Sequence, residues 1–194
     1  MVLAALSQAI EARDPYIRGH SDRVSALAAV VARRLGWKSS RVGALKLGAV
    51  LHDVGKLNVD AAVLRKPGPL DEREYLEIKR HPLDGARLIR RFETLRPALP
   101  YILFHHERWD GAGYPSGRSR EQIPVGARIV AVTDAFDAMT SLRPYRAPLT
   151  LGTALAEVDG GAGTQFDPGV VRAFLSAWSD GELDRLLPDE RLSA

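Results

Sequence analysis

Apolar residues recur every three or four positions along most of this chain, and no stretch shows the two-residue alternation of a half-buried strand. This spacing places side chains on one face of an α-helix. At 194 residues, the chain is long enough for one sizeable core and short for two. The sequence therefore predicts an all-α fold, built as a single helical bundle. The clearest apolar series are those of His20, Val24, Leu27 and Val31, of Val42, Leu45, Ala49 and His52, and of Ile129, Val132 and Phe136.

The composition excludes several kinds of site. The chain has no cysteine, so thiolate zinc sites, disulfides and cysteine nucleophiles are ruled out, and any metal must bind His, Asp or Glu. The formal charge of +3 is too small a surplus to indicate a nucleic-acid polymer as the partner, although it permits an anionic substrate.

The N-terminal residues lack the basic start of a secretory signal. The longest apolar run, residues 26–32, is far shorter than the roughly 20 residues that span a bilayer. We therefore expect no membrane insertion and a cytoplasmic location.

All five histidines fall on inward-facing stripes or at predicted helix ends. His20 lies on the apolar stripe of a long helix. His52 and Asp53 follow one another at the end of a helix that starts near Ser40, and Gly55 is predicted to stop that helix. Because both residues lie near a helix end, they can flank one site from either side.

The other three histidines lie at two further helix ends. His81 precedes a proline at the junction between two helices, the first of which has Asp71 as its predicted N-cap. His105 and His106 end a helix predicted over residues 97–107. Taken alone, each histidine has an alternative interpretation as a hydrogen-bonded core residue or, for His81, as a surface residue.

The histidines and two aspartates together indicate two metal ions. A carboxylate has two oxygens and can bridge two ions, whereas an imidazole binds one. Asp53 as a bridge, Asp134 on the helix predicted over residues 129–139 and the five imidazoles supply four ligands to each of two ions. Mixed nitrogen and oxygen ligation favours iron, manganese, zinc, cobalt or nickel over magnesium.

A pair of ions predicts the type of reaction. Two ions about 3.5–4 Å apart hold a bridging hydroxide at neutral pH and brace an in-line attack on phosphorus. The sequence therefore predicts phosphoester hydrolysis, in which Lys56, one turn after His52, neutralises a phosphate oxygen.

Two further segments are candidates for substrate contact. Residues 108–115 are dense in turn formers and predict a loop, in which Trp109 and Tyr114 could stack on a flat ring. A simple turn is the alternative. Arg143 and Arg146 carry guanidinium groups of the kind that hold phosphates, and a solvated surface is the alternative for both.

Three motifs together resemble the HD-GYP domain, which belongs to the HD superfamily of metal-dependent phosphohydrolases. The similarity extends over about residues 13–175. The motifs are His52-Asp53 with Lys56, His105-His106-Glu107, and Asp110-Gly111-Ala112-Gly113-Tyr114-Pro115.

This resemblance implies hydrolysis of the bacterial second messenger cyclic di-GMP to linear pGpG, GMP or both. It implies two divalent ions, with iron or manganese favoured, and makes Asp53 and Lys56 the catalytic residues. The metal ligands that it implies are His20, His52, Asp53, His81, His105, His106 and Asp134. The substrate-binding residues that it implies are Lys56, Gly113, Tyr114, Pro115, Arg143 and Arg146.

The resemblance also predicts the organisation of the chain. Residues 13–178 are expected to form the catalytic domain, and residues 179–194 a polar C-terminal tail. Residues 1–12 are expected to form an N-terminal helix that could continue from an upstream element. Members of the family usually carry an upstream sensory or receiver domain, so such a domain, a partner protein and a homodimer are all allowed.

Three positions depart from the family pattern. Arg118 and Arg120 stand where the family usually has Leu and Gly, which we expect to change the shape of the loop but not the chemistry. Tyr16 stands where three-metal members carry a glutamate, so we expect two ions.

Two rival functions stay open at this point. One is an HD-type phosphohydrolase for another cyclic dinucleotide or nucleotide, and the GYP loop argues against a distant substrate. The other is a catalytically weak module that binds a nucleotide or a partner, and the seven intact ligand positions argue against it.

Overall fold

The computed structural model describes residues 19–142 and 147–187, and in these ranges the protein consists of helices and connecting loops without a β-strand. The α-helices are α1 His20–Arg34, α2 Ser39–Leu51, α3 Ala61–Leu64, α4 Glu72–Lys79, α5 His81–Ile89, α6 Leu99–Phe104, α7 Val125–Thr140, α8 Leu151–Gly160 and α9 Pro168–Ser179. Short 3-10 helices cover Val54–Asn58, Glu93–Ala98, Arg120–Gln122 and Asp184–Leu186. The predicted all-α class is confirmed.

The main core surrounds α1, which packs against α2, α7 and α9. Leu27 and Val31 of α1 are fully buried there, as their helical spacing predicts. Phe136 of α7 meets Phe174 of α9 edge to face, with ring centroids 5.0 Å apart. Burial of each such side chain contributes about 1.5–3 kcal/mol, so this core holds α1 and α7 rigidly beside each other. Leu183, beyond α9, also lies in this core.

A second, smaller core joins the end of α2 to α5 and α6. Leu51, Ile89 and Ile102 are its largest fully buried members. Within it the 3-10 helix Val54–Asn58 packs directly on α5. A side chain at Gly55 would collide with the backbone of His81, so only glycine allows this close approach.

The prediction that Gly55 ends α2 was therefore wrong. The helix ends at Leu51, three residues before the 3-10 helix that contains Gly55. The glycine is required by contact with α5 and not by a left-handed turn, since Gly55 is absent from the residues with positive φ.

Several predicted element ends are confirmed. Asp71 caps α4 through a capping box with Glu74, and Pro82 lies in the first turn of α5. The helix predicted over residues 97–107 is shorter, because a 3-10 helix precedes it and α6 ends at Phe104.

Other sequence predictions fall outside the described residues or stay untested. The predicted N-terminal helix over residues 1–12, Tyr16, Arg143 and Arg146 all lie in undescribed parts of the chain. The domain boundaries stay predictions. Within the described ranges, no helix combines the length and apolar character needed to cross a membrane.

Candidate metal centre

The seven predicted metal-ligand side chains lie together where the ends of α1, α2, α5 and α6 meet the middle of α7. Six of them form two groups in which the potential ligand atoms lie within 4.8 Å of one another, and a third such set, His52, Asp53 and His105, overlaps both groups. The first group contains His20, His52 and Asp134, and the second contains His81, His105 and His106. We call these the His20 group and the His81 group.

Asp53 lies between the two groups and offers one oxygen to each. Its Oδ2 is 3.5 Å from Nε2 of His52, which belongs to the His20 group. Its Oδ1 is 3.4 Å from Nε2 of His81, which belongs to the other group. This is the arrangement that a carboxylate bridging two cations requires.

Three of the histidines are oriented in the same way by the backbone. In each, Nδ1 lies within hydrogen-bond distance of the carbonyl oxygen three residues earlier. A carbonyl oxygen can only accept, so Nδ1 carries the proton and the lone pair of Nε2 faces the centre. The pairs are His52 with Ala49 at 2.6 Å, His81 with Ile78 at 2.8 Å and His105 with Ile102 at 2.7 Å.

His20 is oriented by a carboxylate instead. Its Nδ1 lies 2.7 Å from Oδ2 of Asp137, and its Nε2 lies 3.2 Å from Oδ1 of Asp134. Asp137 was not among the predicted site residues. The available signal was its position on α7, three residues after Asp134 and therefore on a neighbouring part of the same helix face.

Burial keeps the histidines of the His81 group neutral. It lowers the pKa of His81 and of His106 to about 3 each, and it holds the pKa of His105 well below its usual value. Burial acts to raise the pKa of Asp53, yet Lys56 and the nearby histidines outweigh it and hold that pKa well below its usual value. At neutral pH the His81 group therefore presents neutral imidazoles beside an ionised carboxylate, the protonation states that cation binding needs.

The His20 group has a different charge balance. Burial acts to lower the pKa of His20, but hydrogen bonds to Asp134 and Asp137 raise it to about 9. Burial acts to raise the pKa of Asp134, while the contact with His20 holds that pKa below its usual value. A cation that binds at Nε2 of His20 must displace a proton from this nitrogen.

The donor set fits a pair of transition-metal ions. Nε2 of His52 is buried and has no hydrogen-bond partner in the described part of the chain. An unsatisfied buried nitrogen costs about 1–3 kcal/mol, and a cation held by its lone pair would remove that cost. Nitrogen and carboxylate ligands without sulfur suit divalent iron, manganese, cobalt, nickel or zinc.

Lys56 borders the centre beside the bridging carboxylate. Its ammonium nitrogen lies 2.7 Å from Oδ2 of Asp53, and 19% of its side chain is exposed. The Lys56 ammonium group can therefore contact both the Asp53 carboxylate and an incoming anion. The sequence predicted only the second contact.

A buried residue without a predicted role holds the loop after α6 in place through hydrogen bonds. Glu107 is buried, and its carboxylate accepts hydrogen bonds from the backbone N–H groups of Ser116, at 2.7 Å, and Arg118, at 3.0 Å. Gly113 lies against the backbone of residues 106–108, where a side chain would collide. Glu107 therefore holds the later part of this loop, at Ser116 and Arg118, beside the end of α6.

The Tyr of the same loop lies against a predicted ligand. The Tyr114 ring stacks on His106, with centroids 4.8 Å apart and planes 29° apart. The ammonium group of Lys79 on α4 lies 5.3 Å from the Tyr114 ring centre. Tyr114 thus lies close enough to the centre to contact a bound substrate.

A cavity of about 230 Å³ opens beside the two ligand groups. His105, His106 and Asp134 line it on the side of the centre, and Gln165 and Phe166 belong to its lining from the loop before α9. Backbone hydrogen bonds join that loop to the one after α6, since Trp109 and Asp110 donate to the carbonyls of Gln165 and Thr164. Neither Gln165 nor Phe166 was predicted to belong to the site.

The two loop positions that depart from the family pattern are both accommodated. The Arg118 guanidinium lies 4.0 Å from the centre of the Phe104 ring and bonds the Gln122 carbonyl. Arg120 is the one non-glycine residue with positive φ, at 49°, in the described ranges. The left-handed backbone explains why glycine suits this position.

Comparison with known proteins identifies the family. A family model described as the HD domain matches residues 4–170. A cyclic di-GMP phosphodiesterase of Thermotoga maritima is 39% identical over 176 residues, which are 90% of this chain and 48% of that protein. The cyclic di-GMP phosphodiesterase response regulator RpfG of Xanthomonas campestris pv. campestris is 42% identical over 175 residues, which are 89% of this chain and 46% of that protein. The chain thus spans about half the length of these relatives.

Solved structures agree with this assignment. A cyclic GMP-AMP-specific phosphodiesterase of Vibrio cholerae is 33% identical with a TM-score of 0.58, covering 98% of this chain and 42% of that chain. An HDG"Y"P protein from Bdellovibrio bacteriovorus shares the fold, with a TM-score of 0.66 at 20% identity, covering 82% of this chain and 51% of that chain. The chain therefore belongs to the HD domain family and, within it, is an HD-GYP domain.

Proposed function

We propose that this chain is a metal-dependent phosphodiesterase that hydrolyses cyclic di-GMP to linear pGpG, GMP or both. The observation that carries the proposal is the position of Asp53, with one oxygen toward each of two ligand groups. Relatives that are 39–42% identical over about nine-tenths of this chain are named cyclic di-GMP phosphodiesterases. A paired cation site is suited to phosphodiester hydrolysis.

We propose two ions for this site, one at each ligand group. Each group has three side chains, and the shared Asp53 brings each ion to four protein ligands. When bound, such ions supply a water nucleophile that ionises at neutral pH and positive charge for the phosphoryl oxygens. We favour iron or manganese, and zinc, cobalt and nickel also suit these donors.

The chain's own residues bind and orient the substrate in this proposal. Lys56 places a positive charge beside the bridging carboxylate, where it can stabilise the charge that develops on a phosphate oxygen. Tyr114 stacks on His106, which supports a substrate contact for the loop from Gly113 to Pro115. The proposed phosphate contacts of Arg143 and Arg146 depend on the sequence alone.

A second candidate substrate is 3'3'-cGAMP. Two relatives from Vibrio cholerae that are 34% and 33% identical over 97% and 90% of this chain are named 3'3'-cGAMP-specific phosphodiesterases. Both cyclic dinucleotides carry the same phosphodiester chemistry, so the metal centre does not distinguish them. The difference between the two substrates lies in one nucleobase.

The proposal is tested by turnover of both cyclic dinucleotides. Anaerobically purified protein should be stripped with a chelator, reloaded with Fe²⁺, Mn²⁺ or Zn²⁺, and assayed with cyclic di-GMP and with 3'3'-cGAMP at matched concentrations. We expect a higher kcat/KM for cyclic di-GMP and no turnover by the stripped protein. A higher kcat/KM for 3'3'-cGAMP would reassign the substrate, and no turnover of either with any ion would contradict the proposed activity.

The two arginines allow a more specific kinetic test. Groups that hold a non-reacting phosphate or a guanine act mainly on binding, so Arg143→Ala and Arg146→Ala should raise KM more than they lower kcat. Exposed Arg73 on α4 provides a control, and Arg73→Ala should leave both constants unchanged. Unchanged kcat and KM in both test variants would indicate that Arg143 and Arg146 belong to the solvated surface and do not bind the substrate.

We also infer a cytoplasmic location, because cyclic di-GMP is an intracellular second messenger. An upstream sensory or receiver domain, a partner protein or a homodimer would supply regulation. One relative, RpfG, is named a response regulator, which supports a receiver domain as one such input.

A further inference from the structure

His20 differs from the other oriented histidines of the centre in the group that holds its outer nitrogen. His52, His81 and His105 each face a neutral backbone carbonyl. His20 faces the carboxylate of Asp137 at 2.7 Å. A carboxylate accepts a stronger hydrogen bond than a carbonyl does and makes the opposite ring nitrogen a better electron donor.

Asp137 is itself held in one geometry. Asp137 is fully buried, and its Oδ1 accepts a 2.7 Å hydrogen bond from Nε of Arg23. Its Oδ2 receives a second bond from Arg23 at 3.0 Å and one from Ser141 at 3.2 Å. With these donors around it, the carboxylate has little freedom to rotate away from His20.

The Asp137 contact makes the two ligand groups unequal. The His20 group contains the carboxylate of Asp134 and is backed by that of Asp137, whereas the His81 group consists of three imidazoles. Among the described residues, Asp53 offers one oxygen to a histidine of each group. The fixed negative charge near a cation is therefore greater in the His20 group.

We propose that Asp137 is a positioning residue that acts through His20 and selectively strengthens ion binding at the His20 group, so that the two ion positions differ in affinity. This inference depends on the proposed two-ion centre. It concerns ion affinity and therefore can be tested without any substrate.

The test measures Mn²⁺ binding by Asp137→Asn. Stripped wild-type protein and the variant are titrated with Mn²⁺, free ion is measured by electron paramagnetic resonance, and bound ion by elemental analysis after dialysis. Loss of a partner carboxylate behind a ligand histidine typically weakens metal binding about 10–100-fold. We expect one of two bound ions to weaken by this factor while the other keeps its wild-type affinity, and the exchange-coupled signal of a Mn²⁺ pair to give way to that of a single ion.

A matched control separates this effect from a general loss of structure. Asp167 is also a buried aspartate, and its carboxylate is bonded by Arg128 at 2.6 Å and by the backbone at the start of α9, not by a ligand histidine. Asp167→Asn should keep both ions at wild-type affinity. The retained ion of Asp137→Asn serves as an internal check that the variant is folded.

The outcomes distinguish this inference from the proposed two-ion centre. Wild-type affinity for both ions in Asp137→Asn, equal weakening of both ions, or equal losses in Asp137→Asn and Asp167→Asn would each overturn the positioning role. Wild-type protein that binds a single ion would contradict the two-ion centre, and an unchanged affinity for that ion in Asp137→Asn would also overturn the role of Asp137.

If Asp137→Asn does not fold, Ser141→Ala provides a second test, because it removes one hydrogen-bond donor from the Asp137 carboxylate. This variant should show the same selective weakening of one ion, by several-fold. Unchanged affinity for both ions in Ser141→Ala would overturn the inference.

Discussion

Gly55→Ala tests whether close contact between the 3-10 helix Val54–Asn58 and α5 maintains both the fold and the metal centre. The added Cβ would lie 2.6 Å from the Gly85 nitrogen, 2.7 Å from the carbonyl carbon of His81 and closer still to its carbonyl oxygen. All three atoms belong to the backbone, so no side-chain rotation can relieve the overlap. One of the two elements must shift.

The size of the effect follows from the kind of atoms that collide. Overpacking of a core costs about 1–3 kcal/mol where side chains can adjust, and a backbone collision belongs at or above the upper end of that range. A loss of about 3 kcal/mol lowers the unfolding temperature of a chain of this length by roughly 6–12 °C. Because α5 begins at His81, its displacement should also weaken ion binding at the His81 group.

Thermal unfolding followed by circular dichroism measures the loss, and Mn²⁺ titration measures the second effect. The control is Gly43→Ala in α2, where a Cβ meets nothing within 4 Å. In the interior of a helix this change should stabilise the protein by about 0.5–1 kcal/mol, so the two substitutions have opposite signs. An unfolding temperature of Gly55→Ala equal to or above that of the wild type would refute the close-packing argument.

Three further substitutions test individual residues. Asp53→Ala should abolish activity and remove most of the bound metal, and near-normal metal content would contradict the bridging role. Lys56→Ala should keep the metal but lower turnover, since the lysine charge acts on the substrate and the transition state. The control Lys46→Ala, on the exposed side of α2, should change neither metal content nor turnover. Loss of metal in Lys56→Ala would show that Lys56 has a structural role. Arg120→Gly should stabilise the protein by about 0.5–1 kcal/mol in urea unfolding. It relieves a left-handed backbone that costs about 1–2 kcal/mol, but part of that gain is offset because glycine raises the conformational entropy of the unfolded chain. A less stable variant would show that the contacts of the arginine side chain contribute more than the backbone strain costs.

The inward direction of two of the candidate ligands was predictable from local spacing. His20 and His52 stand on apolar helical stripes, and a residue on such a stripe faces the core wherever the helix packs. His81 was less certain from sequence, since a histidine before a proline is more commonly at the surface. The structure buries it, because Gly55 of the 3-10 helix after α2 lies against its backbone and His105 lies against its ring.

The partners that orient the ligands could not be predicted, because they come from distant parts of the chain. Arg23 and Asp137 are 114 positions apart, and no local pattern relates them. Glu107 was visible within its motif, but its hydrogen bonds to Ser116 and Arg118 depend on the path of the loop. Gly55 was misassigned because a glycine that ends a helix and a glycine that admits a neighbouring backbone give the same signal in sequence.

The number of ions depends on a residue outside the described ranges. Tyr16 stands four residues before His20 in the sequence, where by the resemblance three-metal members of the family carry a glutamate. A neutral phenol is a poor ligand for a divalent ion and brings no charge to offset the repulsion of a third one. We therefore expect two ions, and Tyr16→Glu is the change that would admit a third.

Metal stoichiometry of the anaerobically purified wild-type protein tests the central claim most directly. Elemental analysis against protein concentration, with anomalous scattering from crystals to locate the ions, counts them without reference to any substrate. The two ligand groups joined by Asp53 predict two ions per chain, one beside His20 and one beside His81. Three stoichiometric ions, or a single ion that Fe²⁺ or Mn²⁺ in excess cannot convert to two, would contradict it.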